Sequence, residues 1–300
     1  MIGPIDTIRD TANAWECDEN DHINVQFYAA RFDIAVRSFL VQAGWQVPHR
    51  AGRLIRYHAE LRSGEPVHGT TALVSLEDGR VALEHRLFAS HREGTPLAAT
   101  GLDLLPDVER SDLSAFDLPT AAKDALPKTG SFLMPSGVSE DALEACSVTY
   151  RGVVPDNAFL PANESADGAR LGDRYLVGIV SDAATHAWAL AGADDAWLRA
   201  RHWGRAAVQL QLTYGARPTA GDVVAIRTGL RASSAKSVSY RHHIMNEMTD
   251  ELIAIADITS VMLNLETRRA MAWPDEKRIG VESAVEAFTK AMSSGEAAGA

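Results

Sequence analysis

The sequence is poor in several things at once. It holds two cysteines, Cys17 and Cys146, in 300 residues. Their spacing fits neither a zinc motif nor a disulfide framework, so no metal is expected and a reducing cytoplasm is the expected setting. No apolar run reaches the roughly 18 residues that a transmembrane helix needs, so no membrane partner is expected. The opening stretch, residues 1–15, carries Asp6 and Asp10 and lacks an apolar segment, so it does not read as a secretory signal. Lysine occurs only at Lys123, Lys128, Lys236, Lys277 and Lys290, which leaves arginine to carry the positive charge. Basic residues number 29 against 40 acidic ones, a formal net charge of −11, which argues against a nucleic-acid partner. What remains is ordinary globular composition, 46% hydrophobic and 23% charged, which excludes a disordered chain. The length leaves room for about two domains.

Residues 106–144 break the patterning of the rest. They hold Pro106, Pro119, Pro127 and Pro135 and read as a connection, with at most a short helix over Ala121–Leu126. Before them the spacing predicts one helix over Asn24–Gly44, apolar over more than half its circumference and therefore buried. Strand-like runs follow at Leu54–Leu61, Val67–Leu76, Val81–Ser90 and Leu97–Leu105, separated by Gly64-Glu65, Asp78-Gly79 and Glu93-Gly94. After the connection a helix is expected over Leu171–Leu190, then strands at Ala206–Tyr214, Val223–Ala232, Val238–Met245 and Leu252–Leu263. A shift of 157 carries Gly64-Glu65 to Gly221-Asp222, His85 to His242 and Ala99 to Ala256; the helix tyrosines Tyr28 and Tyr175 differ by 147. A constant shift across several strands marks an internal duplication. The expected organisation is a unit at 1–105, a linker at 106–144, a second unit at 145–282 and a tail at 283–300 that forms a short, fraying helix. Each unit reads as α+β, one long helix with an antiparallel sheet.

The segment richest in chemistry is Trp15–Tyr28, WECDENDHINVQFY. Asp18, Asn20, His22 and Asn24 stand at alternate positions, which share one side of an extended chain. Asn24 is a natural N-cap, so the polar cluster sits where Asn24 and Val25 open a helix and free N–H groups favour developing negative charge. Acyl transfer from a thioester needs that environment. Fixed donors polarise the carbonyl, and a carboxylate or imidazole activates water or attacks directly. Asp18 and His22 are candidate base or nucleophile, and Asn20 a candidate for positioning.

Asp18-x-Asn20-x-His22-x-Asn24 followed by Tyr28 resembles the signature of hot-dog-fold thioesterases, both the plant-type acyl-ACP thioesterases and the hydroxybenzoyl-CoA thioesterase group. The resemblance covers residues 10–105 best; over 146–278 it extends to the fold alone. It implies two tandem hot-dog units, each a long central helix wrapped by an antiparallel β-sheet, with active sites that draw on paired units. It implies hydrolysis of an acyl thioester with coenzyme A favoured over acyl carrier protein, no cofactor beyond coenzyme A as part of the substrate, and a monomeric tandem or a homo-oligomer of tandems. It also implies a second carboxylate, for which Glu60 and Asp33 are candidates. In the second copy the run Glu164-Ser-Ala-Asp167-Gly168-Ala-Arg170 stands against the motif, with Glu164 opposite Asp18 and Arg170 opposite Asn24, and reads as degenerate.

Other signals read more plainly. Arg50, Arg53 and Arg56 form a cluster suited to the phosphates of coenzyme A, although a solvated face is the commoner use of such a run. Cys17 has no Cys/His signature beside it and reads as a free thiol. His242 and His243 are adjacent on a strand, face opposite ways and do not suit one metal ion. Trp188, Trp197 and Trp203 read as core or acyl-pocket lining. Hydration of an enoyl thioester is a second reading, weakened because Asn20-Asp21-His22 lacks the proline and one residue of the hydratase spacing. A non-catalytic thioester-binding module is a third.

Overall fold

The computed structural model describes residues 2–19, 22–45, 50–108, 113–127, 138, 140–160 and 170–298, with side chains as far as 293. The first copy runs β1 (Ile5–Thr11), α1 (Val25–Ala43), β2 (Gly52–Tyr57), β3 (Pro66–Ser75), β4 (Val81–Ala89) and β5 (Leu97–Leu105). The second runs α2 (Glu140–Glu144), β6 (Ser147–Val153), α3 (Asp173–Leu190), α4 (Asp195–Arg199), β7 (Trp203–Tyr214), β8 (Val223–Ser233), β9 (Ser237–Asn246), β10 (Leu252–Asn264), β11 (Arg269–Ala270) and α5 (Asp275–Ala298). The architecture is α+β, antiparallel sheet with few helices. By compactness one unit comprises Met1–Phe132 with Asn157–Gly178, and the other Leu133–Asp156 with Ile179–Ala300. Residues 157–178, including the start of α3, thus group with the first unit, which a boundary drawn at 106–144 does not anticipate.

In the first unit the strand order is β1-β3-β4-β5-β2, all antiparallel. Helix α1 forms because Asn24 caps it, its Oδ1 accepting from Gln26 N at 3.1 Å, and it ends because Gly44 takes φ 64, open to glycine at no steric cost. Its Val36, Phe39 and Leu40 pack against Leu73, Leu83 and Leu105. Burying each such side chain contributes roughly 1.5–3 kcal/mol. The opposite face of the sheet carries Leu54, Ala82, Leu102 and Leu104, and Ala121 and Ala125 of the expected linker cover it. That segment is therefore part of the fold: Ser75 N donates to Pro119 O at 2.8 Å and Ala121 N to Ser75 O at 2.9 Å. Residues 121–126 make turns rather than the expected short helix.

The second unit has strand order β6-β8-β9-β10-β7, with β11 paired to β10. This is the first unit's order under duplication. Both first strands, β1 and β6, carry little periodicity and escape a sequence reading. Both bulge at equivalent places, between Asp6 and Ile8 and between Val148 and Tyr150. Trp188 of α3 is core: it stacks on Trp273 at 5.6 Å and packs with Leu230, Tyr240 and Met262. Trp197 and Trp203 meet edge to face at 5.4 Å beside it. The expected fraying tail belongs to α5, 24 residues long, whose Phe288 lies so close over Gly229 that a Cβ there would strike the ring. Among the described residues no helix is long and apolar enough to cross a membrane.

A hydroxyl–hydroxyl–imidazole ladder recurs in both units. Thr7 Oγ1 and Thr71 Oγ1 lie 2.8 Å apart, and Thr71 Oγ1 lies 2.8 Å from His85 Nδ1. Thr149, Thr228 and His242 repeat it at 2.7 Å and 2.7 Å. Each link gives a buried polar atom the partner it needs. Burial pushes His242 and His243 down to about 4. Both are neutral in the fold and protonate more readily when unfolded, so stability is lost as pH falls from about 6.5 to about 4. H242Q is expected to flatten the slope of unfolding free energy against pH in that window by up to about 1.4 kcal/mol per pH unit, measured by denaturant titration; an unchanged slope contradicts this.

Candidate active site

The motif loop is built by a tight reversal. A 3-10 turn, Ala14–Glu16, opens it, with Asn13 N donating to Glu16 Oε2 at 2.9 Å. Cys17 and Ile23 form an antiparallel bridge, Asp18 N donates to His22 O at 2.9 Å, and Asn24 N donates to Glu16 O at 2.8 Å. Asp18 and His22 converge because the chain turns back on itself, not because it stays extended as alternate spacing suggested. Asn20 lies outside the described residues.

His22 is 8% exposed. Its Nδ1 lies 3.5 Å from Asp18 Oδ1 and its Nε2 lies 3.6 Å from Glu60 Oε1. Both distances exceed a hydrogen bond, and catalytic contacts of this kind tighten when substrate is bound. Glu60 sits beyond the end of β2, in a loop rather than in the expected strand. That loop is held from both sides: Ile23 N donates to Leu61 O at 2.8 Å, Leu61 N donates to the Tyr28 hydroxyl at 3.3 Å, and the hydroxyl lies 3.5 Å from Ala59 O. Burial, the larger effect, raises the Tyr28 pKa, so the hydroxyl keeps its proton. At the helix end Asn24 acts as the cap, and no group among the described residues accepts from the Val25 N–H. The half-buried Cys17 thiol points at Asn13 O, 3.6 Å away.

The arginine cluster is not a phosphate site. Arg50 and Arg53 are buried among carboxylates. Arg53 Nε meets Asp103 Oδ1 at 2.5 Å, and its Nη1 meets Asp33 Oδ1 at 2.9 Å and Asp173 Oδ2 at 2.8 Å. Arg50 Nη1 meets Asp103 Oδ2 at 2.7 Å. Arg56 spends its Nη1 on the carbonyls of Lys123 and Leu126. Asp33 is likewise committed: its Oδ2 accepts from Asp173 N at 2.9 Å, and burial, then Asp173, pushes its pKa up. Burial would raise Asp103 too, but Arg53 and Arg50 outweigh it and hold that carboxyl well below the usual range. The same burial pushes the neighbouring His85 down. Of the two candidate second carboxylates, the one beside His22 is Glu60.

The second copy repeats the backbone bonds at the base of the loop with different side chains. Leu160 N donates to Arg170 O at 2.8 Å, Gly172 N to Ala158 O at 2.8 Å, and Phe159 bridges Leu171. These bonds match those of Asp18 with His22, Asn24 with Glu16, and Cys17 with Ile23. Asp18 therefore corresponds to Leu160, His22 to Arg170, Glu16 to Ala158 and Asn24 to Gly172. Arg170 does not take the place of Asn24, and Glu164 and Asp167 lie outside the described residues. Counted from the first helical residues, Val25 and Asp173, Tyr28 corresponds to Leu176 rather than Tyr175, and Arg31 to Ile179. Glu16 and Arg31 were missed by the sequence reading. A signal was present: a charged residue on the apolar face of α1.

The model of the thioesterase-like superfamily matches residues 12–106 and 167–285. No protein of curated function matches the chain in sequence. Among solved structures, the 12:0-ACP thioesterase from Umbellularia californica aligns with a TM-score of 0.58 and 9% identity over 86% of this chain and 93% of that one. The acyl-ACP thioesterase from Bacteroides thetaiotaomicron VPI-5482 aligns with a TM-score of 0.56 and 8% identity over 86% and 97%. At such identities the likeness is one of fold.

Removing one partner from the buried cluster leaves uncompensated charge. D103A is expected to lower unfolding free energy by about 3–5 kcal/mol, read by chemical denaturation. A loss below about 1 kcal/mol would mean that the cluster is not sealed from water.

Proposed function

The chain belongs to the thioesterase-like superfamily, and on that premise we propose that it is a thioester hydrolase acting on an acyl-coenzyme A at the loop of Asp18 and His22. The observation that carries this reading is one imidazole set between two carboxylates, Asp18 and Glu60, beside a helix start where Val25 offers an N–H. The thioester carbonyl oxygen is taken by that N–H, where the α1 dipole favours the charge that develops. A carboxylate beside His22 either takes a proton from the attacking water or attacks the carbonyl itself, in which case water then hydrolyses the resulting acyl anhydride and frees the carboxylate. The carbon–sulfur bond breaks, the thiolate leaves and is protonated, and the free acid remains. Asn20 is proposed to position water or substrate.

Each copy is read as a hot-dog unit, helix enclosed by sheet. Catalysis is assigned to the first copy alone, because Leu160 and Arg170 replace its acid and its imidazole. Coenzyme A is the proposed carrier, as the resemblance implies; its phosphates are anionic, so cationic groups near the loop must offset the net charge of −11. With Arg50 and Arg53 buried, its phosphates must be met elsewhere. Cys17 and Cys146 form no disulfide, which fits a cytoplasmic setting.

A panel of acyl-CoA and acyl-ACP substrates, followed by release of free thiol, tests the reading. D18N, H22A and E60Q are each expected to lower kcat by about 10²–10⁴-fold. Enoyl-CoA absorbance lost without thiol release supports a hydratase instead. Thermal stabilisation by acyl-CoA with no turnover supports a binding module.

A further inference from the structure

A duplicated chain contains its own control: the bonds that close the motif loop occur twice, flanked by different side chains. In the first copy a buried ion pair stands behind the motif loop. Arg31 is 2% exposed and Glu16 is 8% exposed. Arg31 Nη1 donates to Glu16 Oε1 at 3.3 Å and Nη2 to Glu16 Oε2 at 2.7 Å. The same guanidinium reaches Phe27 O at 3.1 Å in α1, and Thr11 O at 3.0 Å and Asp10 Oδ2 at 2.9 Å in β1. Glu16 also accepts from Asn13 N through its side chain and from Asn24 N through its carbonyl. The pair thus grips β1, the first turn of α1 and both ends of the loop.

In the second copy Ala158 and Ile179 stand in these two places, and the loop closes with the same backbone bonds. The ion pair is therefore not what makes the loop form. Replacing a buried pair by apolar groups is often neutral or stabilising, so the pair is not explained by stability either. It accompanies the copy that has Asp18 and His22 and is missing from the copy that has Leu160 and Arg170.

We propose that Arg31 and Glu16 are positioning residues that set Asp18 and His22 against the Val25 N–H; the inference rests on the thioesterase reading of that loop. An active constellation must be held within about 0.5 Å of its productive geometry, and backbone bonds alone leave a loop looser than that. A guanidinium held by five acceptor atoms on four residues removes the slack.

The test gives the first copy the second copy's own residues, E16A with R31I. The double variant is expected to fold with a Tm within about 5 °C of wild type. Its kcat is expected to fall at least about tenfold with KM within about threefold, the pattern of an interaction that matters only in the transition state. R31K, which keeps the charge but not the fork, is expected to give an intermediate kcat. The His22 ring resonances, compared by NMR at one fixed pH, are expected to move by more than their line width in the double variant. Wild-type kcat in E16A/R31I, unmoved His22 ring resonances, or failure of that variant to fold would each overturn the proposal. If wild type turns over no acyl thioester while the His22 ring resonances still move, the positioning stands and the thioesterase reading fails.

Discussion

Arg53 has no exposed surface and carries a full charge. An unpaired charge so placed costs several kcal/mol, so the chain must bring carboxylates to it. They come from three segments: Asp103 from β5, Asp33 from α1 and Asp173 from the first turn of α3. Each must arrive at once, and Arg50, Arg170 and His85 fill the positions around them. This fixes the rotation of α1 on its sheet, and with it the direction in which the helix N-terminus and the motif loop face. The same requirement explains why residues 157–178 pack with the first unit, since Asp173 N donates to Asp33.

The duplication separates what the fold needs from what the first copy added. Both units keep the strand order, the bulge in the first strand and the Thr-Thr-His ladder. These satisfy buried polar groups of the sheet itself, which no side-chain chemistry can waive. The ionic cluster is centred on Arg50, Arg53, Asp33 and Asp103 of the first copy and takes in Asp173 and Arg170 of the second. Arg53 faces Asp103 across β2 and β5, whereas Ala207 faces Ser260 across β7 and β10. An uncharged pair stands there without the cost of desolvating two charges. The buried Arg–Asp pair across two strands is thus found in the copy whose loop carries the polar motif.

The outer faces of the sheets are closed differently. Residues 113–126 cover the first, through Ala121, Ala125 and the bond from Ala122 N to Glu84. Helix α5 covers the second by laying Phe288 over Gly229. Neither cover repeats, because each lies outside the duplicated stretch and only has to bury apolar surface, which many local structures can do.

Much of this was legible in the sequence. Periodicity placed α1 and α3 and eight of the strands, because hydrophobic spacing of 3.6 or 2 is a local consequence of facing a core. The shift of 157 exposed the duplication, and the alternation of Asp18, Asn20, His22 and Asn24 marked the loop. Sequence also named Glu60 and Asp33 without ranking them. Tertiary structure sets them apart in space, because a return of the chain after β2 brings Glu60 to 3.6 Å from His22, while Asp33 turns inward to Arg53. It decided the fate of Arg50 and Arg53 as well. An arginine bound for phosphate and one bound for a buried carboxylate look alike in sequence, since the difference lies in partners 20 and 50 residues away. Local pattern determined which elements exist and where polar chemistry enters a helix. Only the folded chain determined which charges meet, because charge pairing is set by distance in space.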